Sequence, residues 1–164
     1  MSGVNKIVRD LGKKSIFPDA TAVISTSVSF NQGDLLVFND TTNVLKVPTL
    51  EADGLTFLGI AEVTIVSGIL ASPYSGTAVD AAQAISSIPG PAYNVVAKLV
   101  SKTGDAWAPG DLVYLDPATG TRGVTVSGTK AIGVYQGKTI ASATAGQEIE
   151  VLLGTRFPAD ALKF

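Results

Sequence analysis

The chain has no cysteine and no histidine among its 164 residues, and only one methionine and one tryptophan. Without cysteine there are no disulfides and no thiolate nucleophiles; without histidine there is no imidazole base; without both, the usual zinc ligand sets are gone. Most catalytic designs are excluded before any motif is sought. Charge is also scarce, with 16% Asp, Glu, Lys and Arg and a formal net charge of -2. A protein that grips nucleic acid electrostatically displaces counterions with a basic face, which this balance does not supply. No stretch approaches the ~20 apolar residues of a membrane span. The N-terminal region lacks the apolar core of a signal peptide, since Ile7-Val8 and Leu11 stand isolated among charges. The sequence predicts an unprocessed, soluble chain that binds neither nucleic acid nor membrane.

What the chain does have is β texture and a repeat. Its length fits one domain, which at this size buries roughly 70% of the surface its unfolded form exposes and needs no covalent staples. Low charge with 46% apolar residues is compatible with a surface covered by a neighbour, and equally with a well-packed β domain whose outer face is Ser, Thr and Gly. The stretch Trp107 to Gly120 reads as a strand, a turn and the start of a second strand, and it has a partner in Phe30 to Asn43. At an offset of 77, Phe30 meets Trp107, Gly33-Asp34-Leu35 meets Gly110-Asp111-Leu112, and Thr42 meets Thr119. An apolar-Gly-apolar step follows each copy, Leu58-Gly59-Ile60 and Ile132-Gly133-Val134, at an offset of 74. A loop absorbs the three-residue difference. Self-similarity of this kind predicts one supersecondary unit used twice, and two copies make a pseudo-symmetric domain rather than a solenoid.

Taken in order, residues 1–18 form a basic arm, carrying Lys6, Arg9, Lys13 and Lys14 against the single acid Asp10. Such an arm is either a solvated terminus or an extended segment lying on an acidic partner. Residues 19–154 are predicted as one β domain with related halves at about 20–66 and 92–154. In the first, Ala22 to Phe30 mixes β-branched residues with alternation. Leu35–Phe38 and Val44–Val47 make a hairpin around Asn39-Asp40-Thr41-Thr42-Asn43, where Asp40 is a turn former. Leu55 to Val66 is a further apolar block. A long connection over 67–91, with breaker clusters at Ser72-Pro73 and Ile88-Pro89-Gly90-Pro91, joins the halves, and only Val79–Ile85 looks helical. Loops this long are commonly functional, so contacts with other chains are sought there. In the second half Tyr93–Val100, Ala131–Tyr135 and Glu148–Leu153 read as strands. Asp116-Pro117-Ala118-Thr119-Gly120 places Pro and Gly as a longer hairpin loop requires. The tail 155–164 carries Phe157, Leu162 and Phe164 and is too short for a core of its own.

The remaining candidates for chemistry are carboxylates. Asp34, Asp40, Asp111 and Asp116 all lie beside Gly, Pro, Asn or Thr at predicted turns, where structural use is the default. Glu148 and Glu150 share one strand face, whereas a glycosidase pair flanks a cleft from separate positions. There is no phosphate-binding Gly-rich loop, no Gly-x-Ser-x-Gly elbow and no calcium-loop pattern. The residues predict a non-enzymatic protein with no cofactor and no metal.

The segment Gly110–Gly120, the step Ala131–Tyr135 and the ending Glu-Ile-Glu-Val-Leu-Leu-Gly at Glu148–Gly154 resemble the small capsid decoration, or cement, proteins of tailed bacteriophages. The resemblance is best over the second half and reaches back through the first copy of the repeat. It implies an all-β fold, a small barrel or sandwich, added to the outside of an assembled icosahedral head as a trimer or dimer over junctions between capsomers. Its partners would be the major capsid protein and further copies of itself, and its place the outer surface of the virion after synthesis in the host cytoplasm. This chain departs from the shorter members in its Gly68–Pro91 connection and basic arm. On this reading Lys6, Arg9, Lys13 and Lys14 face the capsid, and Phe157, Leu162 and Phe164 make contacts between copies. The competing expectation is a glycan-binding β module of a fibre or cell surface, stacking sugars on Trp107, Tyr114, Tyr74 or Tyr135. Against it, an aromatic at matched positions of a repeated unit, Phe30 and Trp107, is more simply a core anchor.

Overall fold

The computed structural model describes residues 7–10, 28–38, 44–61, 64–72 and 95–153. These are almost entirely strand: β1 (Ile7–Asp10), β2 (Leu35–Phe38), β3 (Leu45–Lys46), β4 (Phe57–Ile60), β5 (Thr64–Val66), β6 (Ile69–Ser72), β7 (Val95–Ser101), β8 (Leu112–Leu115), β9 (Gly123–Thr125), β10 (Ala131–Tyr135) and β11 (Glu148–Leu153). The only helical pieces among them are 3₁₀ turns at Glu51–Thr56 and Pro117–Thr119. The described residues are all-β.

Five strands form a closed barrel in the order β7-β11-β10-β8-β9, and β9 returns to pair with β7 in parallel. Closure removes the exposed edges that an open sheet presents. Alternation explains which side chains fill it, because successive residues of a strand point to opposite faces. On β11, Ile149, Val151 and Leu153 are buried while Glu148 is exposed and Glu150 half-buried; on β8, Val113 and Leu115 are buried. Trp107, Tyr135, Leu99 and Ile132 complete this interior, and Leu35, Val37, Phe57 and Ile60 of the first half belong to the same cluster. The two halves share one core.

The first half contributes the sheet β3-β2-β4 and the hairpin β5–β6. Its registers recur in the barrel. Leu35, Leu36 and Val37 pair with Ile60, Gly59 and Phe57; Leu112, Val113 and Tyr114 pair with Val134, Gly133 and Ala131. The displacement is 77 on one strand and 74 on the other throughout, and the register shift falls at the same step in both ladders. Phe30 bridges Ile65 as Trp107 bridges Ile140.

Two segments differ from the sequence expectation. Residues 69–72, read above as part of the connection, form β6, because Ser67 and Gly68 both take positive φ (50° and 75°). That is a two-residue hairpin turn matched to strand twist, and it brings Ile69–Ser72 back onto β5. Within the arm, Ile7–Asp10 pairs antiparallel with β7, along the part of its edge that β9 leaves free. Lys6, Lys13 and Lys14, the stretch 73–94 and the tail with Phe157, Leu162 and Phe164 lie outside the described residues.

Gly133 sits where β10 packs closely on β11. A Cβ there would lie 2.5 Å from the Leu152 carbonyl oxygen and 2.7 Å from Val151 Cγ1, so any side chain forces β10 away from β11. Gly133→Ala is expected to destabilise the protein by about 1–3 kcal/mol through overpacking, while Ala145→Ser in an exposed loop stays within about 0.5 kcal/mol. Urea unfolding of the two variants checks the difference.

Candidate functional site

The repeated landmarks Phe30, Gly33, Asp34, Leu35, Gly59, Trp107, Gly110, Asp111, Leu112 and Gly133 build two equivalent turns. In each, an aspartate closes the turn over its own backbone. The Asn31 amide donates to Asp34 Oδ2 at 2.8 Å, and the Ala108 amide donates to Asp111 Oδ2 at 2.6 Å. The main chain repeats the pattern, with Asp34 N–H donating to the Asn31 carbonyl and Asp111 N–H to that of Ala108, both at 3.0 Å. Gly33 and Gly110 have φ of 93° and 94°, a region open to glycine at little cost. Each turn is then tied across to the partner strand's end: the Gly33 amide donates to the Ala61 carbonyl and the Ala61 amide to that of Asp34, as the Gly110 amide donates to the Tyr135 carbonyl and the Tyr135 amide to that of Asp111. Asp34 and Asp111 are thus framework residues.

The aromatics are framework too. Trp107 is 1% exposed, Phe30 and Tyr135 each 3%. The indole N–H of Trp107 donates to the Ser101 hydroxyl at 2.8 Å, and its ring lies 5.4 Å from that of Tyr135 in a tilted arrangement. The Tyr135 hydroxyl donates to the Lys138 carbonyl. Burial, reinforced by the Glu150 carboxylate, pushes that hydroxyl above its ordinary value of 10.0. Neither ring presents a face for sugar stacking. Of the other two candidates, Tyr114 is half-buried and Tyr74 lies outside the described residues.

The carboxylates are used in turns and joints. Asp116 accepts from the Thr119 hydroxyl in the β8–β9 turn, whose Gly120 has φ 131°. Asp105 accepts from the Thr125 hydroxyl at 2.7 Å and the Val126 amide at 3.0 Å. Glu148 pairs with Arg122 at 3.2 Å, and Glu150 stands opposite Lys98 on β7. Among the described residues no group of three or more Asp or Glu converges as a metal site requires. Asp40 lies outside them.

Two joints between the halves carry residues that sequence reasoning missed. In the first, the Thr121 hydroxyl donates to Asp34 Oδ1 at 2.7 Å, and the Leu35 amide donates to the Thr121 carbonyl at 3.1 Å. In the second, Glu51 accepts from the Thr129 amide (2.8 Å), the Thr129 hydroxyl (3.0 Å) and the Lys130 amide (2.9 Å). Close approach explains the glycines there, because a Cβ on Gly54 would lie 2.8 Å from the Lys130 carbonyl and one on Gly128 would lie 2.8 Å from Glu51 Oε1. No local pattern marks Thr121 or Glu51 in advance, since each meets its partner 78 or more residues away.

No protein-family model matches the chain, and no curated protein matches it in sequence.

Two measurements check this geometry. Trp107 emission is expected to be blue-shifted, poorly quenched by acrylamide and unchanged by added sugars; a red-shifted, easily quenched signal would contradict its burial. For Glu51, partial burial raises the carboxyl and the bonds from Thr129 and Lys130 more than offset it, leaving it below its ordinary value of 4.5. A lowered folded-state value stabilises the fold above the unfolded value, and that contribution is lost as pH falls through the lowered one. Glu51→Gln should therefore lower stability at neutral pH and flatten its decline below about pH 4.5, read from unfolding midpoints across the acid range.

Proposed function

We propose that this protein is a structural decoration protein of a tailed-bacteriophage head, built from a duplicated strand-hairpin unit, that binds the outside of the shell and stabilises it. The observation that carries the reading is where the resembling segments fall. Gly110–Gly120, Ala131–Tyr135 and Glu148–Gly154 contain β8, β10 and β11, and the sheet order sets these three strands side by side in the barrel. The resemblance is therefore one continuous wall of a folded unit rather than scattered matches. The recurrent registers at 77 and 74 support the duplication.

A protein of this kind needs surface and stability, not chemistry. The carboxylates at Asp34, Asp105, Asp111, Asp116 and Glu51 hold loops and joints, which supports a non-enzymatic role. The partners are the major capsid protein and further copies of this chain, in a trimer or dimer. Individually weak contacts at a site repeated over a shell reinforce one another when the binder is oligomeric, because linked sites raise the effective concentration. The basic arm supplies the shell contact through Lys6, Arg9, Lys13 and Lys14, and the tail supplies contacts between copies through Phe157, Leu162 and Phe164.

Purified protein mixed with undecorated heads of its own phage is expected to co-sediment saturably, at a defined ratio to the major shell protein. Absence of binding would overturn the reading. The variant Lys6→Glu/Lys13→Glu/Lys14→Glu leaves β1 in place and should reduce occupancy while retaining the far-ultraviolet spectrum; unchanged occupancy would remove the arm from the contact.

A further inference from the structure

A strand with one face in water alternates, whereas a strand covered on both faces reads as a continuous apolar run. β2 is such a run, and Leu35, Leu36 and Val37 are all fully buried. Leu35 and Val37, with their pair partners Ile60 and Phe57, belong to the core cluster of the barrel. Through this face the first unit packs on the second. The offsets of 77 and 74 give its counterparts as Leu112, Tyr114, Val134 and Ala131, paired in the same way. β8 and β10 are equally continuous runs, and Val113, Leu115, Ile132 and Tyr135 fill the barrel. Leu112, Tyr114, Ala131 and Val134 alternate with them onto the outer wall and are only half-buried. The same face is covered in one unit and partly open in the other.

The ladders fix what lies side by side on this wall. The Gly128 loop crosses Tyr114, since a Cβ on Gly128 would lie 2.7 Å from Tyr114 Cβ. Next to it, Val134 is paired with Leu112 on one side and with Leu152 on the other, and side chains so paired share a face with Cβ atoms about 4.5–5.5 Å apart. This apolar row ends at Val96, which is opposite Leu152 and already buried. Two residues along each strand lies a polar row, Gln136 beyond β10, Glu150 on β11 and Lys98 on β7. Gln136 and Lys98 are exposed and Glu150 is half-buried. Glu150 is paired with Lys98, and the Gln136 amide donates to the Glu150 carbonyl at 2.9 Å. At the β8 end of the row is the Asp111 turn, joined to Tyr135 by main-chain bonds.

We propose that the outer wall formed by β8, β10 and β11 is a two-fold self-association surface, packed against the same wall of a second copy of this chain. The two rows decide the occupant, because reversing them about an axis that runs along the strands between β10 and β11 makes each row its own complement. Val134 then meets Leu152 of the second copy, and Leu152 meets its Val134. The Gln136 carboxamide donates to the Glu150 carboxylate of the second copy, and Lys98 approaches its Asp111 turn. An isologous contact uses each of these pairings twice. A partner surface of one charge sign would instead set either Glu150 or Lys98 against its own sign. Packing of the first unit's counterpart face on another unit of this chain shows the same kind of contact within one molecule. The inference deepens the self-association in the reading above and does not depend on attachment to a head.

Sedimentation velocity of the full-length protein should show a dimer whose share rises with concentration. Val134→Lys puts an unpaired charge at the centre of the wall and should weaken dimerisation by about tenfold or more, with Trp107 emission and the far-ultraviolet spectrum unchanged. At the exposed rim, Gln136→Glu sets a carboxylate against Glu150 of the facing copy and should weaken dimerisation, while Gln136→Lys should strengthen it. Ala145→Arg should do neither. Gln136 also neighbours Glu150 within its own chain, so mixing isolates the interface: Gln136→Glu chains and Glu150→Gln chains together should give the mixed dimer in excess of its statistical share, which neighbours inside one chain cannot produce. Wild-type protein that stays monomeric at every concentration would overturn the proposal. So would an assembly of odd order, equal dimerisation of the two Gln136 variants, or a mixed dimer at its statistical share. Head binding separates the two readings: heads decorated normally by protein that does not dimerise through this wall would discard this interface alone, while a dimer through this wall with no head binding would discard the decoration role alone.

Discussion

The parallel contact between β7 and β9 is what the rest of the structure depends on. Two main-chain bonds beside the paired residues, from Val100 N–H to the Arg122 carbonyl and from Lys102 N–H to the Val124 carbonyl, join the ends of a five-strand sheet. Once closed, the sheet has one inside, and the alternation of β8 and β11 sends Val113, Leu115, Ile149, Val151 and Leu153 into it. Closure also divides the edge of β7. Its end at Val100-Ser101 serves β9, and its start at Val95–Ala97 accepts β1. The arm therefore meets the barrel where closure leaves main-chain groups of β7 to pair.

A second constraint is the aspartate-closed turn, used at Asp34 and at Asp111 with the same bonds and nearly the same glycine φ. A carboxylate accepting its own turn's amide satisfies a donor that the strand ladder cannot reach, and unpaired donors are costly where water is excluded. It also leaves the second oxygen for a neighbour. At Asp34 that neighbour is Thr121, so one side chain both shapes a turn and joins the halves. The joint at Glu51 works on the same principle, with glycines at 54 and 128 permitting the approach. Shared apolar packing through Leu35, Val37, Phe57 and Ile60 does the bulk of the work of holding the halves together, and the polar joints set their register.

For the proposed decoration role, the outward surface is the functional part. Among the described residues, turns and joints absorb most of the carboxylates, and the aromatic rings at Trp107, Tyr135 and Phe30 are inside. With only 16% charged residues in the chain, a neighbour can cover its surface without desolvating many ions. That property is what the composition offers a shell-binding protein, and it places the weight of recognition on main-chain edges and turns.

Much of this was readable from residues alone because it is local or periodic. The hairpin chemistry of Asp116–Gly120 and the alternation along Glu148–Leu153 are short-range signals, and the observed turn and strand follow them. Trp107 as an anchor was legible from its match to Phe30. The β5–β6 hairpin was not, because its turn places Ser67 at positive φ, which no sequence rule favours for serine. Nor were Thr121 and Glu51, whose roles exist only once segments 78 or more residues apart are brought together. The sequence by itself determined a β-rich protein without thiol or imidazole and with a small net charge, since strand pattern and composition are properties of the chain. Only the tertiary structure decided that β9 closes on β7, that the halves share one core, and that one of two equivalent turns is covered while the other is open, because each depends on contacts between segments distant in sequence.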